Sequence, residues 1–256
     1  MTSSSHSPAV ELAGVRHLQL VETEPPQLTV EQTAAMNRLW EGKTASNPSL
    51  FDGPVVVCSA LEWQDKHTVT LTWYRATYRL YVLRLDPVLA VSAPSLFVSV
   101  AQPTDDGRLL VGRMAPSTAA PGRWQLPGGT LEPPAPGAVL GLEDLRRHAA
   151  RELTEEIGRT LPAQDLALWA VTRGDKGNIG VHFRAPACRA DVLDKEYAAL
   201  VCAERAQDRT PELDRIAFVG SPADVRALGG HTADFLPLLA ARHAGTEAPG
   251  PTPDRR

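Results

Sequence analysis

The sequence predicts an α/β fold in which helices sandwich a mixed sheet, preceded by a smaller α+β region. Three observations support this. A capped helical segment near residue 30 precedes β-branched runs, apolar strand-like runs recur from residue 96 to 219, and Leu145, Ala149, Leu153 and Ile157 form a helical stripe between them. With 256 residues, 43% of them hydrophobic, the chain is long enough for one large domain or two small ones, and we expect its two regions to pack together.

The N-terminal region is predicted to combine one helix with a sheet. Thr29-Val30-Glu31-Gln32 has the pattern of a capping box, so a helix begins there and runs to about Glu41. The turn-rich 47–53 stretch then connects the helix to the strands. The elements expected in this region are an extended segment at 15–21, strands at 55–59 and 69–77, and a strand or helix at 78–85.

The second half is predicted to form the main sheet and its covering helices. The runs at 96–100 and 109–113 are joined by a turn at 104–107, and we expect them to pair at the start of the core sheet. The other predicted elements are strands at 166–172, 179–185 and 216–219, with helices from about 142 to 157, at 194–206, from Ser221-Pro222 onward, and at 232–243. This scheme predicts disordered tails at 1–14 and 244–256, an N-terminal region at 15–90 and a main domain at 91–243.

The most informative stretch is the acidic run from Arg151 to Gly158. On a helix, residues three and four apart share a face, so Glu152 lies beside Glu155 and Glu156. Clustered carboxylates repel one another, which favours a hard divalent cation such as Mg²⁺ or Mn²⁺ at this face. The alternative is an acidic turn that is merely solvated.

The residues around the acidic run make the metal site the better interpretation. Trp124-Gln125-Leu126-Pro127-Gly128-Gly129 predicts a strand that ends in a glycine-rich turn, and Gly158 stands where a helix commonly ends. Residue types, spacing and flanking turn therefore agree on a phosphate-handling site.

These motifs resemble the Nudix hydrolases, whose pattern is G-x5-E-x7-R-E-U-x-E-E-x-G-U, with U aliphatic. Glu143 precedes the Arg151 run by the required seven residues. Two glycines compete for the opening position: Gly137 has the literal spacing, but Gly129 has the Leu-Pro-Gly-Gly context, so we prefer Gly129 with an enlarged loop at 133–142. A second departure is Arg159, which occupies an aliphatic position whose packing role Leu161 can take.

The resemblance implies a Nudix-type α/β/α sandwich and roles for matching residues. It assigns Glu152, Glu155 and Glu156 as metal ligands in catalysis, with Arg151 orienting them. Glu143 is either a further ligand or a charge that favours the helix N-terminus.

The resemblance also suggests groups that contact substrate. Gly128 and Gly129 would let the backbone pass close to the diphosphate, and Arg113 resembles a position near the substrate in some relatives. Arg173 and Lys176, in the loop at 173–178, could contact phosphate or sugar but are weaker candidates, because charged hairpin tips are often only solvated. Glu212, before the last strand, is the candidate base; an exposed loop acid is the alternative.

A second, shorter resemblance lies in the N-terminal region. Leu39-Trp40, the Asn47 to Gly53 segment and Ala76-Thr77-Tyr78-Arg79 are similar to the region that precedes the box in a UDP-glucose-type diphosphatase branch of the Nudix family. Turn chemistry with apolar anchors is the alternative explanation.

Composition limits the partners. A net charge of −4 offers no basic field for nucleic acid, so positive charge must come locally from metal and a few basic side chains. Cys58, Cys188 and Cys202 lack metal-site spacing and predict reduced thiols. The chain shows neither a secretion signal nor an apolar span, so we expect a cytoplasmic protein without membrane contact. Its expected partner is a small-molecule diphosphate, and a homodimer stays open.

The resulting hypothesis is Mg²⁺-dependent (or Mn²⁺-dependent) hydrolysis of the diphosphate linkage in a nucleoside diphosphate-sugar. Two alternatives remain. The substrate could instead be a damaged nucleotide, a dinucleotide or a prenyl diphosphate, or the chain could be a non-catalytic ligand-sensing domain, although such domains commonly lose part of the acidic set.

Overall fold

The computed structural model describes residues 10–48, 50–85 and 91–245. Most of both predicted tails therefore lies outside the described residues, as does Ser49 of the second resemblance. Within the described ranges, no helix combines the length and the apolar character needed to cross a bilayer.

The helices form where capping and periodicity predict them. Thr29 caps the first helix through the expected capping box with Gln32, and Gly158, at φ 80°, ends the acidic helix. Residues 78–85, predicted as a strand or a helix, form a 3₁₀ helix. Three helix bounds differ from the prediction: the first helix ends about five residues beyond Glu41, the helix expected at 194–206 begins four residues earlier, and the C-terminal helix begins four residues later. The α-helices are α1 Val30–Ser46, α2 Leu142–Ile157, α3 Ala190–Ala206, α4 Pro222–Ala227 and α5 Leu236–His243, and the 3₁₀ helices are Tyr78–Leu85 and Ala163–Asp165.

In the part of the chain that the structure describes, ten strands form three sheets. The first has the order β1-β8-β9-β5, with β5 parallel to β9 and the other pairs antiparallel; the second is β10-β6-β7, and the third β2-β4-β3. The strands are β1 Glu11–Gly14, β2 His17–Glu22, β3 Pro54–Trp63, β4 Thr68–Thr77, β5 Leu96–Ala101, β6 Leu109–Met114, β7 Trp124–Gln125, β8 Ala167–Arg173, β9 Ile179–Arg184 and β10 Leu213–Val219.

Two expectations about the sheets were wrong. Glu11–Gly14, assigned to the tail, forms β1 and pairs with β8. The strands β5 and β6 do not form a hairpin: after a single bridge between Pro103 and Leu109 they diverge, β5 to β9 and β6 to β10. Both errors concern pairing between distant segments, which local periodicity does not encode.

The helices α2 and α5 cover opposite faces of the sheets. In β6, Leu110 belongs to the core that includes α2, whereas Leu109 and Val111 belong to the core that includes α5, as the strand period of two requires. The predicted stripe of α2 is fully buried, and each large side chain in it contributes about 1.5–3 kcal/mol. Residues of β3 and β4 share this core, so α2 is held firmly with its acidic face toward the Gly128-Gly129 turn.

Candidate active site

The glycine-rich turn after β7 lies directly against the acidic face of α2. The backbone N–H of Gly128 donates a hydrogen bond of 2.8 Å to Oε2 of Glu156. Gly128 has a φ of 153°, and a Cβ added to it would lie 2.1 Å from the carbonyl oxygen of Val98. Only glycine fits this position.

Gly129, rather than Gly137, is the box glycine that faces the acidic cluster. A Cβ on Gly129 would lie 2.7–2.8 Å from the carboxylate of Glu152, whereas a Cβ on Gly137 would meet no atom within 4 Å. Gly137 has φ 81° and serves a turn in the enlarged loop. The geometry agrees with the preference for Gly129.

Glu156 is the most perturbed carboxyl of the cluster. The residue is 2% exposed, and burial raises its pKa well above the ordinary value, reinforced by the charge of Glu152 and opposed by the Gly128 N–H. A carboxyl buried beside other carboxylates is costly to ionise unless a cation accompanies it.

Glu212, far along the chain on the loop before β10, joins this cluster. Partial burial raises the pKa of Glu212, and the charges of Glu152 and Glu155 raise it further. Glu212 and Glu156 lie on the wall of the same cavity. The position suits the role of base.

Arg151 and His148 contact the cluster from the same helix. The guanidinium Nη2 of Arg151 lies 3.2 Å from Nδ1 of His148, 3.2 Å from Glu132 and 3.8 Å from Glu152, and its Nε is 3.8 Å from Glu155. Arginine can only donate, so His148 Nδ1 accepts and Nε2 carries the proton. That Nε2 is 2.9 Å from Oε1 of Glu152, without the alignment of a full hydrogen bond.

The two remaining acids of the box are more exposed. The Glu155 side chain is 60% exposed and faces Arg151. Glu143, in the first turn of α2, is equally exposed and pairs with Arg146. Its position fits a helix N-terminal charge better than a ligand.

The donor set fits a hard divalent cation. It consists of carboxylate oxygens beside the Gly128-Gly129 turn. Carboxylate oxygens are the ligands that Mg²⁺ and Mn²⁺ prefer. Over the described ranges, no three acidic, histidine or cysteine side chains converge closely enough to enclose an ion. Each side chain contacts a different partner. Glu156 accepts the Gly128 N–H, Glu152 lies beside His148, and Glu155 lies beside Arg151.

A cavity of about 1000 Å³ opens beside the cluster. Glu156, Glu212 and Gly129 form part of its wall, together with the basic side chain of Arg123 and the aromatic rings of Phe97 and Phe235. The two rings stack at 5.3 Å. The cavity thus combines an acidic end with apolar and cationic surfaces, as expected for an organic diphosphate.

Two predicted substrate contacts lie away from this cavity. Arg113 is held by Asp214 through a bidentate ion pair of 2.7 and 2.9 Å. Arg173 donates to the Leu61 carbonyl and lies 3.6 Å from Glu11. Neither Arg113 nor Arg173 is part of the cavity wall. Lys176, the other basic residue of the loop that follows Arg173, does line the cavity.

Sequence reasoning missed three polar residues near the site. His148 has the three- and four-residue spacing to Arg151 and Glu152 that places them on one helical face, so its contacts were open to prediction. Arg123 and Gln125 flank the conspicuous Trp124, but no local pattern shows that both line the cavity.

Arg159, which departs from the box pattern, has a polar environment of its own. Its guanidinium donates to Gln102 at 3.1 Å and to both carboxylate oxygens of Glu196 at 3.2 Å. Leu161 packs against the main core as proposed. The substitution therefore ties the end of α2 to α3 without touching the acidic face.

Comparisons with known proteins agree with this geometry. A model of the NUDIX domain matches residues 95–226, just over half of the chain. No curated protein matches it significantly. Among solved structures, the MutT protein of Methanosarcina mazei Go1 is 19% identical, with 60% of this chain and 96% of that chain covered and a TM-score of 0.40.

Two further solved structures are similar. A NUDIX hydrolase from Nitrosomonas europaea is 20% identical, with 61% of this chain and 93% of that chain covered and a TM-score of 0.34. The NUDIX domain of Shewanella oneidensis NrtR, complexed with ADP ribose, is 20% identical, with 65% and 97% covered and a TM-score of 0.37. Since the matched range includes the strands β5 to β10, the glycine-rich turn and the acidic helix, the chain belongs to the Nudix family and is a Nudix pyrophosphohydrolase.

Proposed function

We propose that the protein hydrolyses the diphosphate linkage of a nucleoside diphosphate-sugar, with Mg²⁺ or Mn²⁺, to give a nucleoside monophosphate and a sugar phosphate. The observation that carries this proposal is the mutual electrostatic interaction of Glu152, Glu155, Glu156 and Glu212, of which Glu156 and Glu212 line a large cavity. The sequence places three of these acids on one helix, and the fold adds the fourth.

The residues of the cluster have distinct tasks in this proposal. Glu152, Glu155 and Glu156 would hold the cation, which when bound neutralises charge on the diphosphate and acidifies water. Arg151 keeps Glu152 and Glu155 in place by charge-assisted contacts. Glu212 accepts a proton from the attacking water, a task for which a raised carboxyl pKa is suited.

The size of the cavity supports a substrate larger than a simple nucleotide. Its volume of about 1000 Å³ is at the upper end of the range for small-molecule sites. Part of its wall comes from outside the family domain, since Leu50 and Tyr78 of the N-terminal region contribute to it.

Those two wall residues belong to the segments of the second resemblance. Asp52 joins the segments by accepting the backbone N–H of Arg79 at 2.8 Å. We infer that this region recognises the part of the substrate beyond the diphosphate. The UDP-glucose-type branch remains the more specific form of the proposal.

The decisive experiment is a substrate panel with Mg²⁺, monitored by mass spectrometry. The panel contains UDP-sugars, other nucleoside diphosphate-sugars including ADP-ribose, dinucleotides, oxidised nucleotides and prenyl diphosphates. We expect turnover of a nucleoside diphosphate-sugar, and ¹⁸O-labelled water will show which phosphorus is attacked. Preference for a dinucleotide or prenyl diphosphate would overturn the substrate class but retain the hydrolase.

Matched variants test the site. Glu155→Gln and Glu156→Gln should each lower kcat by about a hundredfold or more, because each loses charge stabilisation at the reacting diphosphate. Arg226→Gln, at an exposed position of α4 away from the acidic cluster and the cavity wall, should retain nearly full activity. If either Glu variant hydrolyses every substrate at the wild-type rate, the cluster is not the catalytic site.

A further inference from the structure

Arg123 and Gln125 form a polar pair at the wall of the cavity. The Nε and Nη2 groups of Arg123 both donate to Oε1 of Gln125, at 3.2 and 2.6 Å. Gln125 is 7% exposed, so its position is set by the surrounding structure. Trp124, between them, is buried and points elsewhere.

The contact with Arg123 determines which way the Gln125 amide faces. A guanidinium has donors only, so the amide oxygen must point toward Arg123. The amide Nε2 then points away from Arg123, and no described residue accepts its protons. Among the described residues nothing encloses this nitrogen, so it retains access to solvent.

The charge of Arg123 has no direct counter-ion. Within the described residues, no carboxylate lies within 4 Å of its guanidinium. Desolvation of the guanidinium lowers the pKa of Arg123, although the residue as a whole is exposed, and the charge of Asp234 opposes that effect. Both oxygens of Asp234 already accept backbone N–H groups, from Asp175 and Phe235.

We propose that Arg123 and Gln125 form an oxyanion subsite of the cavity, which binds a phosphate or carboxylate group of the substrate. The pair presents a positive charge and free N–H donors but no free acceptor, so the complementary ligand group is anionic and offers acceptors only. This inference rests on the proposed function, because the oxyanion belongs to the substrate of the same cavity.

The test measures oxyanion binding without turnover. The full-length protein is kept in EDTA, so that the acidic cluster holds no cation, and is titrated with inorganic phosphate, UMP and glucuronic acid. Binding is followed by ³¹P NMR for the phosphates and by saturation-transfer NMR for the sugar acid. Preference for UMP or phosphate identifies a phosphate subsite, and preference for glucuronic acid identifies a carboxylate subsite.

Three substitutions locate the subsite. Arg123→Gln should weaken binding about ten- to hundredfold, because a charge-assisted interaction is lost. Gln125→Glu should have a similar effect, since the new carboxylate supplies Arg123 with an internal counter-ion. Arg123→Lys keeps the charge but loses the planar fork, so an intermediate loss is expected.

Arg226→Gln is the control, because Arg226 is an exposed basic residue of α4 outside the cavity wall. Circular dichroism and thermal unfolding establish that each variant is folded. The proposal is overturned if wild-type protein binds none of the probes, if Arg123→Gln and Gln125→Glu bind them as wild type does, or if Arg226→Gln shows the loss instead. Failure of the substrate panel would leave these binding results intact, so the two proposals fail separately.

Discussion

Glu156→Gln should stabilise the metal-free protein even as it abolishes activity. Glu156 is 2% exposed and lies one helical turn from Glu152, and its raised pKa records the cost of charge at this position. The amide of glutamine is nearly isosteric and can still accept the Gly128 N–H. The substitution therefore removes a repulsive charge with little change in packing.

The magnitude follows from the spacing on α2. Two unit charges roughly 6 Å apart interact by about 3 kcal/mol at an effective dielectric constant of 20. A neutral acceptor for the Gly128 N–H is weaker than a charged one by about 1 kcal/mol. The net gain in the free energy of unfolding is then about 1–2 kcal/mol, or about 2–8 °C in Tm for a protein of this size.

The difference between variant and wild type should depend on pH. A folded-state pKa above the unfolded value means that the Glu156 contribution is fully present below the unfolded pKa and is lost as pH rises toward the folded pKa. The two proteins should therefore be similar near pH 4, with the stability difference growing toward neutral pH. Glu212 also has a raised pKa and its charge opposes ionisation of Glu156, so its ionisation widens the difference between the two proteins as pH rises.

The assay is urea and thermal unfolding in EDTA at pH 4 to 8, repeated with Mg²⁺. Glu155→Gln is the matched control: it removes a carboxylate from the same cluster, but its 60% exposed side chain faces Arg151, so its Tm without metal should barely change. Added Mg²⁺ should stabilise wild type more than either variant. A lower stability for metal-free Glu156→Gln at pH 8 would refute the reasoning that this carboxylate is retained for function.

Two further outcomes are expected. Arg159→Ala and Glu196→Ala should show a coupling energy of about 0.5–1 kcal/mol in a urea double-mutant cycle, decreasing with salt, because the two side chains form a partly buried ion pair; simple additivity would contradict it. His148→Ala should weaken Mn²⁺ binding, measured by electron paramagnetic resonance, about tenfold through loss of its contact with Glu152, whereas alanine at exposed His17 should not, and equal affinities would exclude this positioning role.

Local chemistry allowed much of the acidic helix to be predicted. The spacing of Glu152, Glu155 and Glu156 on one face, the buried stripe on the other and the end at Gly158 depend on contacts within a few residues. The choice of Gly129 over Gly137 came from the family resemblance, through the Leu-Pro-Gly-Gly context around Gly129. The features of the helix could be predicted because the helix period relates sequence spacing directly to position in space.

Long-range pairing was predicted less well. The strands β5 and β6 are adjacent in sequence and strongly apolar, yet they belong to different sheets. Glu11–Gly14 joins β8 across most of the chain. Apolar alternation identifies a strand and its buried face but does not name its partner.

By itself, the sequence determined that three carboxylates share one helical face beside a glycine-rich turn, since backbone geometry leaves little choice at that range. Only the tertiary structure decided that Glu212 joins them, that Arg113 faces Asp214 instead of the cavity, and that Arg123 and Gln125 face into it. The physical reason is that these positions depend on how separate strands and loops pack around the shared core. The hydrophobic effect that drives this packing is non-directional, so local sequence does not specify which segments meet.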